Sequence, residues 1–180
     1  MNRIEHISLM ASYNAWINAK LYTEAGRLSD DELLADRGAF FGSIIGSLNH
    51  IVVGDTLWLK RFATHPGNHL SLEPIRQHQA PASLGQILFT DMTSLSERRH
   101  WLDTIITAWS QSLTEADLDH VLHYANMKGI VADKSFFSLV MHFFNHQTHH
   151  RGQVTTLLSQ QGIDIGVTDL LELIPNQMAV

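Results

Sequence analysis

The residues that most invite a chemical reading lie in segment 145–153, NHQTHHRGQ, which places His146, His149 and His150 within five positions, with His142 one turn earlier. On a helix, with His146 taken as zero, His150 lies at about +40°, His142 at about −40°, His149 at about −60° and Gln153 at about −20°. All share one side, and the stripe is flanked by Leu139 and Leu157, which predicts an inward-facing site. Buried polar groups need partners, and adjacent imidazolium ions repel one another. A metal ion relieves both problems because it takes neutral imidazoles as ligands.

Histidines at i and i+4 can share one ion, as in the H-E-x-x-H pattern of zinc peptidases. The residue after His146 is Gln147 rather than Glu, so the peptidase's general base is missing. A third ligand must come from another helix. His50 is the candidate, in a stretch where Ser43, Gly46, Ser47 and Gly54 share its face and promise room for an ion and something bound to it. His142 and His149 are read as non-ligands: relay groups, outer partners of the ligands, or helix surface. Asn14 and Asn18, inside an apolar stripe, are expected to satisfy buried polar groups or touch a ligand. His65, His69, His78, His100, His120 and His123 call for no functional explanation, and the four tryptophans read as core.

Apolar spacings of three and four predict helices over 3–27, 41–63, 84–113 and 135–161, the last stopped by Gly162. Residues 64–83 hold three of the four prolines and read as a loop of about twenty residues, long enough to shape the mouth of a site. The NMKG turn inside 119–136 predicts a short β-hairpin. A short helix is expected in the tail. The pattern predicts an all-α, single-domain chain over 1–180: a four-helix bundle with one long crossover. On the last helix Met141, Phe144 and Thr148 face away from the histidines, a hint of a subunit contact.

Composition narrows the function. With 44% apolar and 17% charged residues the chain is globular. A net charge of −6 without a basic cluster argues against nucleic-acid or anionic-membrane partners. Without cysteine, a transition-metal site must use His, Asp or Glu, and a catalytic thiol must come from outside. The N-terminal residues lack an apolar run, and no stretch is long enough to span a bilayer, so a soluble cytoplasmic protein is expected.

Three motifs in order, YNAWINAKLY (13–22), GSLNHIVVGDTLWLKRF (46–62) and NHQTHHRGQ (145–153), resemble the DinB family, within the wider YfiT-like and thiol-transferase superfamily. The resemblance covers essentially the whole chain, including the hairpin and the GIDIGVTDLL tail. It implies an up-down-down-up four-helix bundle, often dimeric, with a divalent metal on His50, His146 and His150. Arg151, Gly152 and Gln153 match the close of the signature. Gln153 joins Asn14 and His149 as the candidates for outer contacts or pocket lining.

Zinc and nickel are the metals the resemblance implies; three neutral imidazoles suit iron(II) as well. Three protein ligands leave an open position, the mark of a catalytic site. The resemblance favours a transferase that binds a low-molecular-weight thiol as thiolate beside an electrophilic substrate. The alternatives are a metal-activated hydrolase with His149 or Asp55 as base, and a non-catalytic metal-binding dimer.

Overall fold

The computed structural model describes residues 1–176. In chain order the elements are α1 (Arg3–Ala25), α2 (Asp30–Leu34), α3 (Ile44–Phe62), a 3-10 turn (Leu70–Leu72), α4 (Glu73–Gln77), α5 (Met92–Ser112), α6 (Glu115–Leu118), β1 (Val121–Ala125), β2 (Val131–Ser135), α7 (Phe136–Ser159) and a 3-10 turn (Leu170–Leu173). The chain is mostly helical, with a two-stranded antiparallel hairpin leading into the last long helix. No helix among the described residues is long and apolar enough to cross a membrane.

Each long helix starts on a side chain that accepts an otherwise orphaned amide hydrogen. Asn2 and Glu5 form a capping box on α1, Ser43 accepts from the Gly46 amide on α3, Asp91 from Ser94 on α5, and Ser135 from Ser138 on α7. At the far end of α7 the chain leaves through Gly162, whose φ of 77° suits a residue without a side chain.

The helices pack as α1 on α5 and α3 on α7, with further contacts between α1 and α7 and between α3 and α5. Their shared interior includes an aromatic cluster: Phe62 stacks on Trp109 with ring centres 5.1 Å apart and meets Phe136 and Phe143 edge-on. Of the four tryptophans only Trp109 is fully buried; Trp16, Trp58 and Trp101 pack around the core with part of each ring in solvent. Phe144 is buried within its own chain, so the sequence hint that it marks an outward subunit contact does not hold.

A buried ionic layer ties the four long helices. Asp55 of α3 pairs with Arg99 of α5, which also pairs with Asp103 one turn on, at 3.0 Å. Asp103 accepts from Asn14 at 2.9 Å and Asn18 at 3.0 Å on α1, and Arg151 of α7 donates to Asn14 Oδ1. Two carboxylates thus share the Arg99 guanidinium, with Arg151 joined to them through Asn14, and pairing of this kind is how buried charge is tolerated.

Three boundaries differ from the sequence reading, the first being that the helix expected from residue 41 begins at Ile44. Segment 64–83 is not one loop, since it contains α4 and the turn before it. Residues 84–91, expected to be helical, are a connection held by Asn49: its Oδ1 accepts from the amides of Leu88 and Phe89, and its Nδ2 donates to the Phe89 and Ile45 carbonyls. One buried amide side chain outweighs the helical periodicity there, and α5 begins only at the Asp91 cap.

Candidate metal centre

His50 lies midway along α3, and His146 and His150 lie one turn apart on α7. His50 Nε2 is 3.2 Å from Nε2 of His146 and 3.2 Å from Nε2 of His150. Tetrahedral zinc with bonds of about 2.0–2.1 Å would set its nitrogen ligands about 3.3 Å apart, so the spacing suits a shared ion.

The protons decide what these contacts are. His50 Nδ1 lies 2.8 Å from the Leu84 carbonyl oxygen, which can only accept, so Nδ1 carries the proton and Nε2 a lone pair. His150 Nδ1 donates to Gln153 Oε1 at 2.8 Å, with the other end of that amide toward His149, which leaves a lone pair on His150 Nε2 as well. Two lone pairs therefore face each other at 3.2 Å. A proton on His146 cannot relieve both contacts, whereas a cation among the three rings satisfies all of them. Metal-binding imidazoles characteristically donate their other nitrogen to a carbonyl or amide in this way.

Burial pushes His50 and His150 below the ordinary imidazole value. It takes His146 further, to about 3, with His150 and His50 adding repulsion. All three rings are neutral at pH 7, as ligands must be.

The surroundings position the rings more than they leave space. Gly54 is required because a β-carbon there would lie 2.8 Å from His146 Cε1. At Gly46 it would lie 2.1 Å from the Phe41 carbonyl oxygen. The room expected beside His50 is thus filled by His146 and by the backbone before α3. Phe41 also stacks on His50 with ring centres 3.8 Å apart and meets His150 edge-on.

The histidine stripe is not the buried face of α7, contrary to its sequence reading. That face runs through Phe143, Gln147, Arg151 and Val154, while His146 and His150 are half-buried and His142 and His149 exposed. The centre therefore sits at the rim of the core, open to solvent on one side.

The remaining candidates divide. Gln153 orients His150, and His149 meets His150 edge-on and contacts Gln153. Asn14 belongs to the ionic layer instead, bonded to Asp103 and Arg151. Asp55, considered as a base, is tied to Arg99 in the same layer. Sequence reasoning missed Phe41 and Leu84, whose contacts depend on tertiary structure alone. It also passed over a second convergence of possible ligands, His65, His69 and Asp117, although His65 and His69 repeat the i, i+4 spacing that drew attention to α7.

The family model described as DinB family matches residues 1–177. Protein DinB of Bacillus subtilis (strain 168) is 25% identical over 158 residues, covering 87% of this chain and 87% of its own. No solved structure gave a significant match.

Proposed function

The chain belongs to the DinB family, and from that membership and the converging imidazoles we propose a metal-dependent transferase that uses a small thiol. His50, His146 and His150 would hold a divalent ion, zinc or nickel first, with iron(II) compatible with the same donors. The observation that carries the reading is the pair of unprotonated Nε2 atoms of His50 and His150 facing each other at 3.2 Å.

When bound, such an ion supplies an open coordination position where an external thiol ionises near neutral pH. The chain's own residues prepare that position. The Leu84 carbonyl and Gln153 fix two ring orientations, and Gly54 lets the third ring approach α3. Phe41 covers one side with an apolar ring, and the open rim admits the substrate. In the transfer the sulfur forms a C–S bond to the electrophilic carbon, the leaving group departs with its bonding pair, and the thiol proton passes to solvent.

The proposal extends to a cytoplasmic homodimer of one domain whose long helices run up-down-down-up. The pairing of α1 with α5 and α3 with α7 supports the bundle; the dimer rests on the family resemblance, and the location is the sequence expectation carried forward. With Asp55 committed to Arg99, the hydrolase alternative loses its carboxylate base.

The test is metal analysis of untagged protein beside His50→Ala and His146→Ala, with thiol conjugation of a chlorinated nitroaromatic as the activity. One equivalent of metal lost in both variants, together with conjugation that requires metal and thiol, is expected. Normal metal content in His50→Ala would remove the α3 ligand, and thiol-independent ester cleavage would favour hydrolysis.

A further inference from the structure

A second set of ligating groups meets where α3 runs into the crossover. In His65-Pro66-Gly67-Asn68-His69, Asn68 adopts the left-handed region with φ of 45°, and its amide donates to the His65 carbonyl at 3.0 Å. This turn brings the two imidazoles to 5.4 Å between ring centres. Asp117 reaches them from α6, and the three ligand atoms lie within 4.8 Å of one another.

The hydrogen bonds again show an excess of acceptors. His65 Nε2 donates to the Asp117 main-chain carbonyl at 3.2 Å, so His65 Nδ1 carries a lone pair, which accepts from the Gly67 amide at 3.0 Å. The Ser112 hydroxyl donates to the Trp109 carbonyl at 2.8 Å, so at its 3.4 Å contact it accepts from His69 Nδ1, and the His69 lone pair lies on Nε2. That Nε2 is buried in a side chain only 5% exposed and has no hydrogen-bond partner. It faces the Asp117 carboxylate, with Oδ2 4.0 Å away, beyond hydrogen-bonding distance.

Gly67 marks the centre of the cluster. A β-carbon there would lie 2.9 Å from Asp117 Oδ1, 3.0 Å from His65 Nδ1 and 3.1 Å from His69 Nε2. Three acceptors thus surround one small space that the absence of a side chain keeps open, while Asp117 Oδ2 is occupied by the amide and hydroxyl of Thr114.

We propose that His65 Nδ1, His69 Nε2 and the Asp117 carboxylate form a second divalent-cation site, separate from the triad, that clips the segment after α3 to α6. Two imidazoles and a carboxylate suit an ion of the zinc class. Loading exchanges the Gly67–His65 hydrogen bond for a bond to the ion and gives His69 Nε2 its missing partner. The inference does not depend on the proposed thiol chemistry or on the triad being loaded.

The test blanks the triad with His146→Ala and His150→Ala in the full chain, strips metal with chelator, and titrates with Zn²⁺ while bound metal and thermal unfolding are followed. One tightly bound equivalent and a zinc-dependent rise in Tm are expected. Adding Gly67→Ala, which removes no ligand but fills the space, should abolish both, as should His69→Ala. Asp117→Asn, which keeps an oxygen for Thr114, serves as the third variant should either of the others lose its helical circular dichroism. No tightly bound zinc in the triad-blanked protein, or an equivalent that survives these substitutions as adventitious surface histidine binding would, overturns the proposal.

Discussion

The ionic layer and the histidine triad are both polar clusters set among apolar helices, yet they solve opposite problems. In the ionic layer Asp55 and Asp103 meet Arg99, with Arg151 reaching it through Asn14, so charges of both signs are supplied by the chain itself. In the triad three ring nitrogens converge, and the lone pairs of His50 and His150 face each other with no donor between them. The first cluster pairs its charges within the folded chain and links the four long helices. The second is complete only with something added. What separates scaffold from site here is whether the chain itself supplies opposite charge, together with burial: the layer is buried, whereas two of the three imidazoles are half-exposed.

The largest effect that tests this contrast should come from Arg99→Leu, which strands two buried carboxylates. Breaking a buried pair on one side costs about 3–5 kcal/mol. Urea unfolding should show a loss of that size, with the metal content of the folded fraction unchanged; a loss below about 1 kcal/mol would mean that the layer is not the scaffold described.

Gln153→Leu removes the acceptor that fixes the His150 proton. Metal affinity should fall about 10–100-fold, as for other outer partners of ligating histidines, with little change in apoprotein stability. Competition titration against a chromophoric chelator measures it, and unaltered affinity would show that Gln153 does not tune the ligand.

The pH response is the next smaller effect. The triad imidazoles are held below their ordinary value of 6.5 in the folded chain, His146 at about 3. Below pH 6.5 the unfolded chain therefore binds protons that the folded chain refuses, and apoprotein stability must fall as pH falls from 6.5 toward 3. The slope is at most about 1.4 kcal/mol per pH unit for each imidazole. Unfolding in chelator at pH 7.5, 6.5 and 5.5 should show the decline, and His146→Ala should make it shallower.

Smallest of all, His142→Ala should change stability by no more than about 0.5 kcal/mol and leave metal content intact, because His142 is exposed and touches none of the three converging nitrogens. A loss of metal in this variant would enlarge the site beyond the triad.

Much of this was legible in the chain. The i, i+4 pair on α7 and the small-residue face around His50 pointed to the three imidazoles, and spacing alone outlined the long helices. Short elements also carried local signals: Ser29 with Glu32 and Thr114 with Asp117 are capping boxes that start α2 and α6. What periodicity could not reveal depends on distant contacts. Asn49 holds residues 84–91 out of a helix, Leu84 supplies the acceptor for His50, and Phe41 arrives from the loop before α3. His65 and His69 had the right spacing, but their common focus with Asp117 forms only when the crossover folds against α6.

The Leu84 carbonyl carries a lesson for protein engineering. Grafting the three histidines onto another pair of helices would reproduce the donor atoms but not the tautomer that frees one of them, because that proton is assigned by a connection 34 positions away in sequence. A faithful transplant must carry residues 84–91 and Asn49 with the imidazoles.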